Sequence, residues 1–112
     1  MRRFELATAD SVDACVKTLA QRGPDAKLLA GGTDLLPQLK NHLLNPPCVV
    51  DLSGLRELPG IDADPKRGFR IGAAVSAREM ELHAGLRAAC PGLSESGALV
   101  GSVQVRNLAT VG

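Results

Sequence analysis

The segment LLAGGTDLLPQL, which runs from Leu28 to Leu39, places two adjacent glycines between an apolar stretch and a leucine-rich stretch. Leu35, Leu36 and Leu39 recur at helical spacing, and Pro37 falls in the first turn, where a missing N–H costs little. The segment therefore predicts a strand, a tight turn and a helix. Paired glycines at such a turn serve either the turn itself or the close approach of another molecule to the backbone.

The residues around this segment predict a small parallel sheet. An apolar stripe beginning at Val12 predicts a first helix, which Thr8 or Asp10 would cap and which Gly23 would end. Residues 26–30 and residues 48–52 are short and apolar, as in buried strands. After an extended opening, the order is β-α-β-α-β, and its short connections favour parallel strands covered by helices. The leucine stripe of the second helix extends to Leu43, before Asn45-Pro46-Pro47 breaks it.

The pattern changes after Leu55. Residues 60–64 and 69–74 flank a Pro-Lys-Arg-Gly turn and predict a hairpin. Ser76 and Glu79 form a capping-box pattern, so a helix is expected to start near residue 77.

The last third of the chain predicts less regular structure. Pro91 separates the helix after Ser76 from a further short helix that includes residues 93–100. Residues 101–112 show no firm period, so Arg106 is expected in a loop and without a fixed carboxylate partner. A surface or structural role is favoured for it over contact with a phosphate.

Composition narrows the classes of function. The 112 residues fit one domain or part of a larger one; the net charge is +1, with both signs interspersed, and no nucleic-acid partner is expected. No apolar run is long enough to span a membrane. Cys15, Cys48 and Cys90 are three isolated thiols with no CxxC pair, which favours reduced cysteines, no metal site and a cytoplasmic location.

No set of side chains resembles a catalytic group. His42 and His83 lack neighbours at ligand spacing and are interpreted as surface histidines. Glu79 and Glu81 point apart on a helix, and no nucleophile is paired with a base, so no catalytic residue is predicted. Any chemistry would belong to a bound cofactor.

The glycine pair could hold a phosphate. The first N–H groups of a helix lack internal partners, and glycines before them leave the backbone bare. Thr33 adds a hydroxyl donor, whereas the charge of Asp34 would repel a phosphate unless its carboxylate turned aside to cap the helix. An ordinary turn is the competing interpretation.

Four stretches, LLAGGTDLLPQLK, VVDLSGLRELPGI, RIGAAVSAREME and VRNLATVG, together resemble the FAD-binding (medium) subunit of the molybdenum hydroxylases. The family includes the medium subunit of carbon monoxide dehydrogenase, the flavin domain of xanthine dehydrogenase and the flavin subunit of 4-hydroxybenzoyl-CoA reductase. The resemblance covers essentially the whole chain. It implies an α/β fold, α+β overall, of the PCMH-type FAD-binding kind. Residues 1–55 would form a βαβαβ subdomain, and residues 56–112 the incomplete beginning of a second, antiparallel-sheet subdomain.

The resemblance also implies which residues contact FAD. Two motifs wrap the pyrophosphate in this family, and the N–H groups of Gly31, Gly32 and Thr33 would be the main phosphate donors of the first motif. The residues expected at the cofactor are Leu28, Leu29, Ala30, Gly31, Gly32, Thr33, Asp34 and Leu35 from the first motif, and Val100, Ala109, Thr110, Val111 and Gly112 from the second region. By the same resemblance, Val100 would pack near the flavin.

The implied function is electron transfer. FAD would pass electrons between an iron-sulfur partner and an external acceptor, with a molybdopterin-binding large subunit and a [2Fe-2S] small subunit as partners. The family's second motif continues beyond Gly112, so residues 1–112 alone are expected to hold FAD weakly or not at all. Two alternatives stay open: a truncated fragment or partner-binding module without FAD, and a binder of another phosphate-bearing ligand such as a dinucleotide.

Overall fold

The chain divides into two units, residues 1–57 and residues 58–112, in a computed structural model that describes all 112 residues. The first unit contains strand β1 (Glu5–Thr8), helix α1 (Val12–Arg22), strand β2 (Lys27–Leu29), helix α2 (Leu35–Lys40) and strand β3 (Cys48–Asp51). The strands form one sheet in the order β1-β3-β2, and both pairings are parallel. The predicted β-α-β-α-β order and parallel sheet are confirmed.

Burial within this sheet follows the position of each strand. The central strand β3 carries Cys48, Val49 and Val50, which are almost completely buried. The edge strand β2 is more exposed, since its Leu28 is 45% exposed. Ala26 is buried but lies just before the strand. The prediction that residues 26–30 form a buried strand was therefore right about the strand and wrong about its burial.

Both ends of α1 are fixed by local chemistry. The Ser11 hydroxyl accepts a hydrogen bond from the backbone N–H of Ala14 at 3.1 Å, so Ser11 is the cap instead of Thr8 or Asp10. Thr8 cannot serve because it belongs to β1. Gly23 ends the helix with φ 78°, as its position predicted.

Helix α2 ends at Lys40, earlier than the leucine stripe predicted. His42 takes the left-handed conformation, with φ 58°, at the position that glycine usually occupies after a helix. Its N–H donates to the Leu39 carbonyl at 3.2 Å, and the Leu43 N–H donates to the Gln38 carbonyl at 2.9 Å. These two bonds form a Schellman motif, which turns the chain away and leaves Leu43 exposed.

The second unit combines a hairpin with four short helices. Its elements are β4 (Ile61–Asp64), β5 (Gly68–Ile71), α3 (Ala77–Leu82), α4 (Ala84–Ala89), α5 (Pro91–Ala98) and α6 (Val103–Arg106). Strands β4 and β5 are antiparallel. The core of the unit consists of Val75, Met80 and Leu86, against which side chains of the hairpin pack.

The capping box at the start of α3 is confirmed. The Ser76 hydroxyl accepts from the Glu79 N–H at 3.1 Å, and the Glu79 carboxylate accepts from the Ser76 N–H at 2.7 Å. The helix does not run on to Pro91, because His83 is extended and begins α4. Its Nδ1 accepts from the Leu86 N–H at 3.0 Å, so His83 is a helix cap and half-buried, contrary to the prediction of an ordinary surface residue.

Candidate cofactor-binding site

The glycine loop, defined as residues 31–35, lies at the carboxyl end of β2. The next strand in the sheet is β3, and the Leu52 N–H donates to the Leu29 carbonyl at 2.9 Å just before the loop. In open α/β sheets, ligands bind outside the carboxyl ends of the strands. The loop therefore lies where a ligand of the first unit is expected.

The backbone N–H groups of the glycine loop are free within the chain. None of the five residues from 31 to 35 donates its N–H to a carbonyl or to a side chain. The first helical bond runs from the Leu36 N–H to the Gly32 carbonyl at 3.0 Å, and no side chain caps α2. Five successive free donors suit the oxygens of a phosphate group.

Gly32 has a reason to be glycine that lies within the chain itself. Its φ is 72°, a conformation that residues with a side chain rarely adopt. A Cβ atom there would lie 3.0 Å from a terminal carbon of Leu29 and 3.0 Å from one of Leu36. The turn geometry and the packing of two leucines therefore account for Gly32 without a ligand.

Thr33 and Asp34 lie among the free donors. The Asp34 carboxylate accepts from the Gln38 side-chain amide at 2.5 Å and caps no backbone N–H, so it does not turn aside in the expected way. Its charge stays on the loop and works against an anion. The Thr33 hydroxyl makes no hydrogen bond within the chain, which leaves it available to a ligand.

The other predicted residues of the first motif provide mainly apolar surface. Leu28 and Ala30 are exposed on the edge of the sheet, and Leu29 and Leu35 are half-buried. Leu28, Leu29 and Ala30 precede the glycine loop in the sequence, and Leu35 is its last residue. Their contact with FAD stays a prediction.

The second predicted segment, residues 109–112, is held as an additional short strand and is called the C-terminal segment below. The Ala77 N–H donates to the Ala109 carbonyl at 2.8 Å, and Thr110 forms a bridge to Ser76. The Val111 N–H donates to the Val75 carbonyl at 2.9 Å. This antiparallel pairing fixes the backbone of the segment within the second unit.

Most N–H groups of the C-terminal segment are therefore already used. Ala109 donates to the Val105 carbonyl at 2.7 Å, and Gly112 donates to the Ala73 carbonyl at 2.9 Å. With Val111 also bonded, Thr110 alone keeps a backbone N–H that donates to no acceptor in the chain. Its hydroxyl lies 3.2 Å from the Gly112 carbonyl. Thr110 is the residue of this segment that can offer a backbone donor to a ligand.

Val100 follows α5 and is 39% exposed. Its carbonyl accepts a hydrogen bond from Nη1 of Arg106 at 3.3 Å. Its predicted place near the flavin stays a prediction.

The prediction that Arg106 lies in a loop without a fixed carboxylate partner was wrong. Arg106 is the last residue of α6, its side chain is 11% exposed, and its Nε donates to Oε2 of Glu81 at 3.1 Å. Arg78 donates to the same carboxylate oxygen at 2.8 Å. The hydrogen bond from Arg78 and the positive charges of both arginines hold the pKa of Glu81 below its ordinary value, although burial acts to raise it. No sequence pattern signals a contact between residues 25 positions apart.

The polar side chains outside these segments have structural roles. The buried Ser94 hydroxyl lies 3.1 Å from the Met80 carbonyl and 2.9 Å from the Glu81 carbonyl, so it satisfies the end of α3. The chain holds no group of three or more His, Cys, Asp or Glu side chains that could bind a metal ion. None of the helices is both long enough and apolar enough to cross a membrane.

The parallel sheet and its donor-rich loop together indicate a domain that binds a phosphate-bearing cofactor. Residues 2–112 match the family described as the FAD binding domain in molybdopterin dehydrogenase. The chain belongs to this family, whose cofactor is FAD, and both the predicted family and the predicted cofactor are confirmed.

Relatives and solved structures agree with this assignment. The chain is 37% identical over 110 residues to the carbon monoxide dehydrogenase medium chain of Hydrogenophaga pseudoflava, covering 98% of this chain and 38% of that protein. It is 37% identical over 89 residues to the xanthine dehydrogenase FAD-binding subunit of Escherichia coli O157:H7, covering 80% of this chain and 30% of that protein. The structure of reconstituted CO dehydrogenase from Oligotropha carboxidovorans matches with a TM-score of 0.94 at 31% identity, and the match covers 99% of this chain and 38% of the matched chain. The chain thus spans 30–38% of the length of these proteins, which are subunits of oxidoreductases.

Proposed function

We propose that this chain is the FAD-binding part of an oxidoreductase subunit that works with a molybdopterin-binding large subunit and a [2Fe-2S] small subunit. Electrons pass between the iron-sulfur partner and an external acceptor. FAD, when bound, supplies the redox chemistry, and the residues of the chain bind and orient it. The family match and the relatives that are dehydrogenase subunits support this function. Three free cysteines, two of them buried, support a cytoplasmic location.

The observation that carries the proposal is the run of five free N–H groups in the glycine loop. These donors and the Thr33 hydroxyl hold the pyrophosphate of FAD. The C-terminal segment adds Thr110, and Val100 contributes apolar surface near the flavin. Leu28, Leu29 and Ala30 flank the cofactor on the sheet side.

Two substitutions in the glycine loop test this assignment, because they should change the Kd for FAD in opposite directions. Thr33→Val removes the hydroxyl and keeps the shape, so it should raise the Kd for FAD about tenfold, as expected for a lost hydrogen bond to a charged group. Asp34→Asn removes a negative charge beside the phosphates and should lower the Kd a few-fold. The measurement is a titration of the apoprotein, expressed from its complete gene, with FAD, followed by quenching of flavin fluorescence.

Matched controls come from the same unit. Thr18→Val removes a hydroxyl that donates to the Ala14 carbonyl within α1, and Asp25→Asn removes an exposed charge that precedes β2. Both controls should leave the Kd for FAD unchanged. The proposal fails if the wild-type protein binds no FAD, and the assignment of the loop fails if Thr33→Val and Asp34→Asn behave like their controls.

A further inference from the structure

Arg106 joins three stretches of the second unit through one guanidinium group. Its Nε donates to Glu81 on α3 at 3.1 Å. Its Nη1 donates to the carbonyls of Val100 and Gly101 at 3.3 and 3.0 Å. The planar guanidinium fork can make such bonds in several directions at once, whereas an ammonium group is a point charge on a flexible stem.

The turn that Arg106 holds is tightly constrained. Gly101 has φ 47°, and a Cβ atom there would lie 3.0 Å from a methyl group of Val105 on α6. The carbonyls of Val100 and Gly101 lie in the turn just after α5, which ends at Ala98. Arg106 donates to both of these turn carbonyls and thereby fixes Val100, the residue predicted to lie near the flavin.

The same side chain lies close in sequence to the C-terminal segment. Only two residues separate Arg106 from Ala109, whose N–H donates to the Val105 carbonyl at 2.7 Å. The Ala109 carbonyl accepts from Ala77 at the start of α3, and Glu81 lies one turn further along this helix. Helix α3 therefore holds both the Arg106 side chain and the segment that follows it.

We propose that Arg106, oriented by Glu81, is a positioning residue that fixes Val100 and Thr110 relative to each other for binding of FAD. The inference rests on the proposed function for its ligand. Arg106 itself contacts no cofactor and takes part in no chemical step. Its role is to hold in one arrangement the two parts of the second unit that are predicted to contact FAD.

Two variants separate positioning from folding. Arg106→Lys keeps a positive charge opposite Glu81 but cannot reach Glu81 and both carbonyls with one ammonium group. It should fold with a melting temperature close to that of the wild type, raise the Kd for FAD about tenfold and alter the visible circular dichroism of the bound flavin. Arg106→Gln should lower the melting temperature as well.

The matched control is Arg70→Gln, because Arg70 pairs with Asp62 at 3.6 Å on the surface of the same unit. This variant should keep the wild-type Kd, melting temperature and flavin spectrum. Wild-type FAD affinity and an unchanged flavin spectrum in Arg106→Lys would overturn the proposal. Failure of both Arg106 variants to fold would overturn it as well, since Arg106 would then be a residue required by the core.

Amide hydrogen exchange in the absence of FAD separates this proposal from the proposed function. The Val111 and Gly112 N–H groups are bonded to the Val75 and Ala73 carbonyls, so their exchange reports the position of the C-terminal segment. Exchange at both amides should be faster in Arg106→Lys than in the wild type and unchanged in Arg70→Gln. Equal exchange in all three proteins would contradict a positioning role, even if the wild type bound no FAD.

Discussion

The two predicted cofactor segments differ in what their backbone N–H groups do. The glycine loop leaves five successive N–H groups free, whereas the C-terminal segment uses three of its four within the second unit. The loop follows an edge strand and begins a helix that no side chain caps. The C-terminal segment pairs with residues 73–77. A glycine-containing motif can therefore be a set of free donors in one place and a structural strand in another.

Because of this difference, we expect the two segments to have different roles in binding FAD. The glycine loop offers the donors that a pyrophosphate needs, and the C-terminal segment offers Thr110 on a fixed backbone. Two kinds of substitution test this difference: those that change the shape of the glycine loop, and those that weaken the structure that holds the C-terminal segment.

Substitution of Gly32 should have the largest effect, because it changes the shape of the loop. Gly32→Ala places a side chain at φ 72° and against Leu29 and Leu36, so it should destabilise the protein by at least about 1–2 kcal/mol. Gly32→Val should destabilise it further and abolish retention of FAD. Urea unfolding gives the free energy, and the flavin absorbance of the purified protein gives the retention.

The control for Gly32 is Gly92→Ala on α5. A Cβ atom at Gly92 would meet nothing within 4 Å, and alanine is the better helix former, so this change should be neutral or slightly stabilising. A Gly32→Ala protein as stable as Gly92→Ala would show that the loop does not need its left-handed residue.

Loss of the capping box should have the next largest effect and acts on the C-terminal segment. Ser76→Ala removes the cap of α3 beside the bridge to Thr110, and such losses typically cost about 1 kcal/mol. Ser96→Ala is the control, because the exposed Ser96 hydroxyl caps no helix and donates to the Gly92 carbonyl within α5. Thermal unfolding compares the two. Equal melting temperatures would mean that the cap does not stabilise the start of α3.

The smallest effect is expected from Glu81, in how the free energy of unfolding changes at acidic pH. The pKa of Glu81 is lowered in the folded protein. The ionised carboxylate therefore stabilises the fold, and this contribution to the free energy of unfolding is fully present above the pKa of an unfolded glutamate, about 4.3. This contribution is lost as the pH falls through the lower folded pKa. The wild type should therefore be more stable than Glu81→Gln near pH 7, and the gap should narrow in acid.

Urea unfolding of both proteins from pH 7 to pH 3 measures that gap. The charged groups that face the Glu81 carboxylate are Arg78 and Arg106, which do not titrate in this range. A gap that stays constant or widens in acid would contradict a carboxylate stabilised by these two arginines.

The parts of the fold that local patterns control could be predicted from the sequence. The parallel strands, the hairpin and the capping box at Ser76 each depend on residues close together in the chain. The cap of α1 was misplaced because Ser11, Asp10 and Thr8 are equally plausible caps until the end of β1 is known. The break at His83 was missed because a histidine cap has no strong sequence signal.

The candidate site shows the same limit. The sequence pointed to the glycine loop through its motif, but the state of each N–H group depends on pairing between distant residues. Nothing near Val111 reveals that its N–H is bonded to Val75, 36 positions earlier. The ion pair of Arg106 with Glu81 was missed for the same reason.

The most direct test of the unequal roles is the change in each backbone amide when FAD binds. Two-dimensional ¹H–¹⁵N NMR spectra of the labelled protein, expressed from its complete gene, follow every N–H group during a titration with FAD. The account predicts large shifts for Gly31, Gly32, Thr33, Asp34 and Leu35, a clear shift for Thr110, and small shifts for Val111 and Gly112. Large shifts at Val111 and Gly112 with unchanged signals in the glycine loop would contradict it.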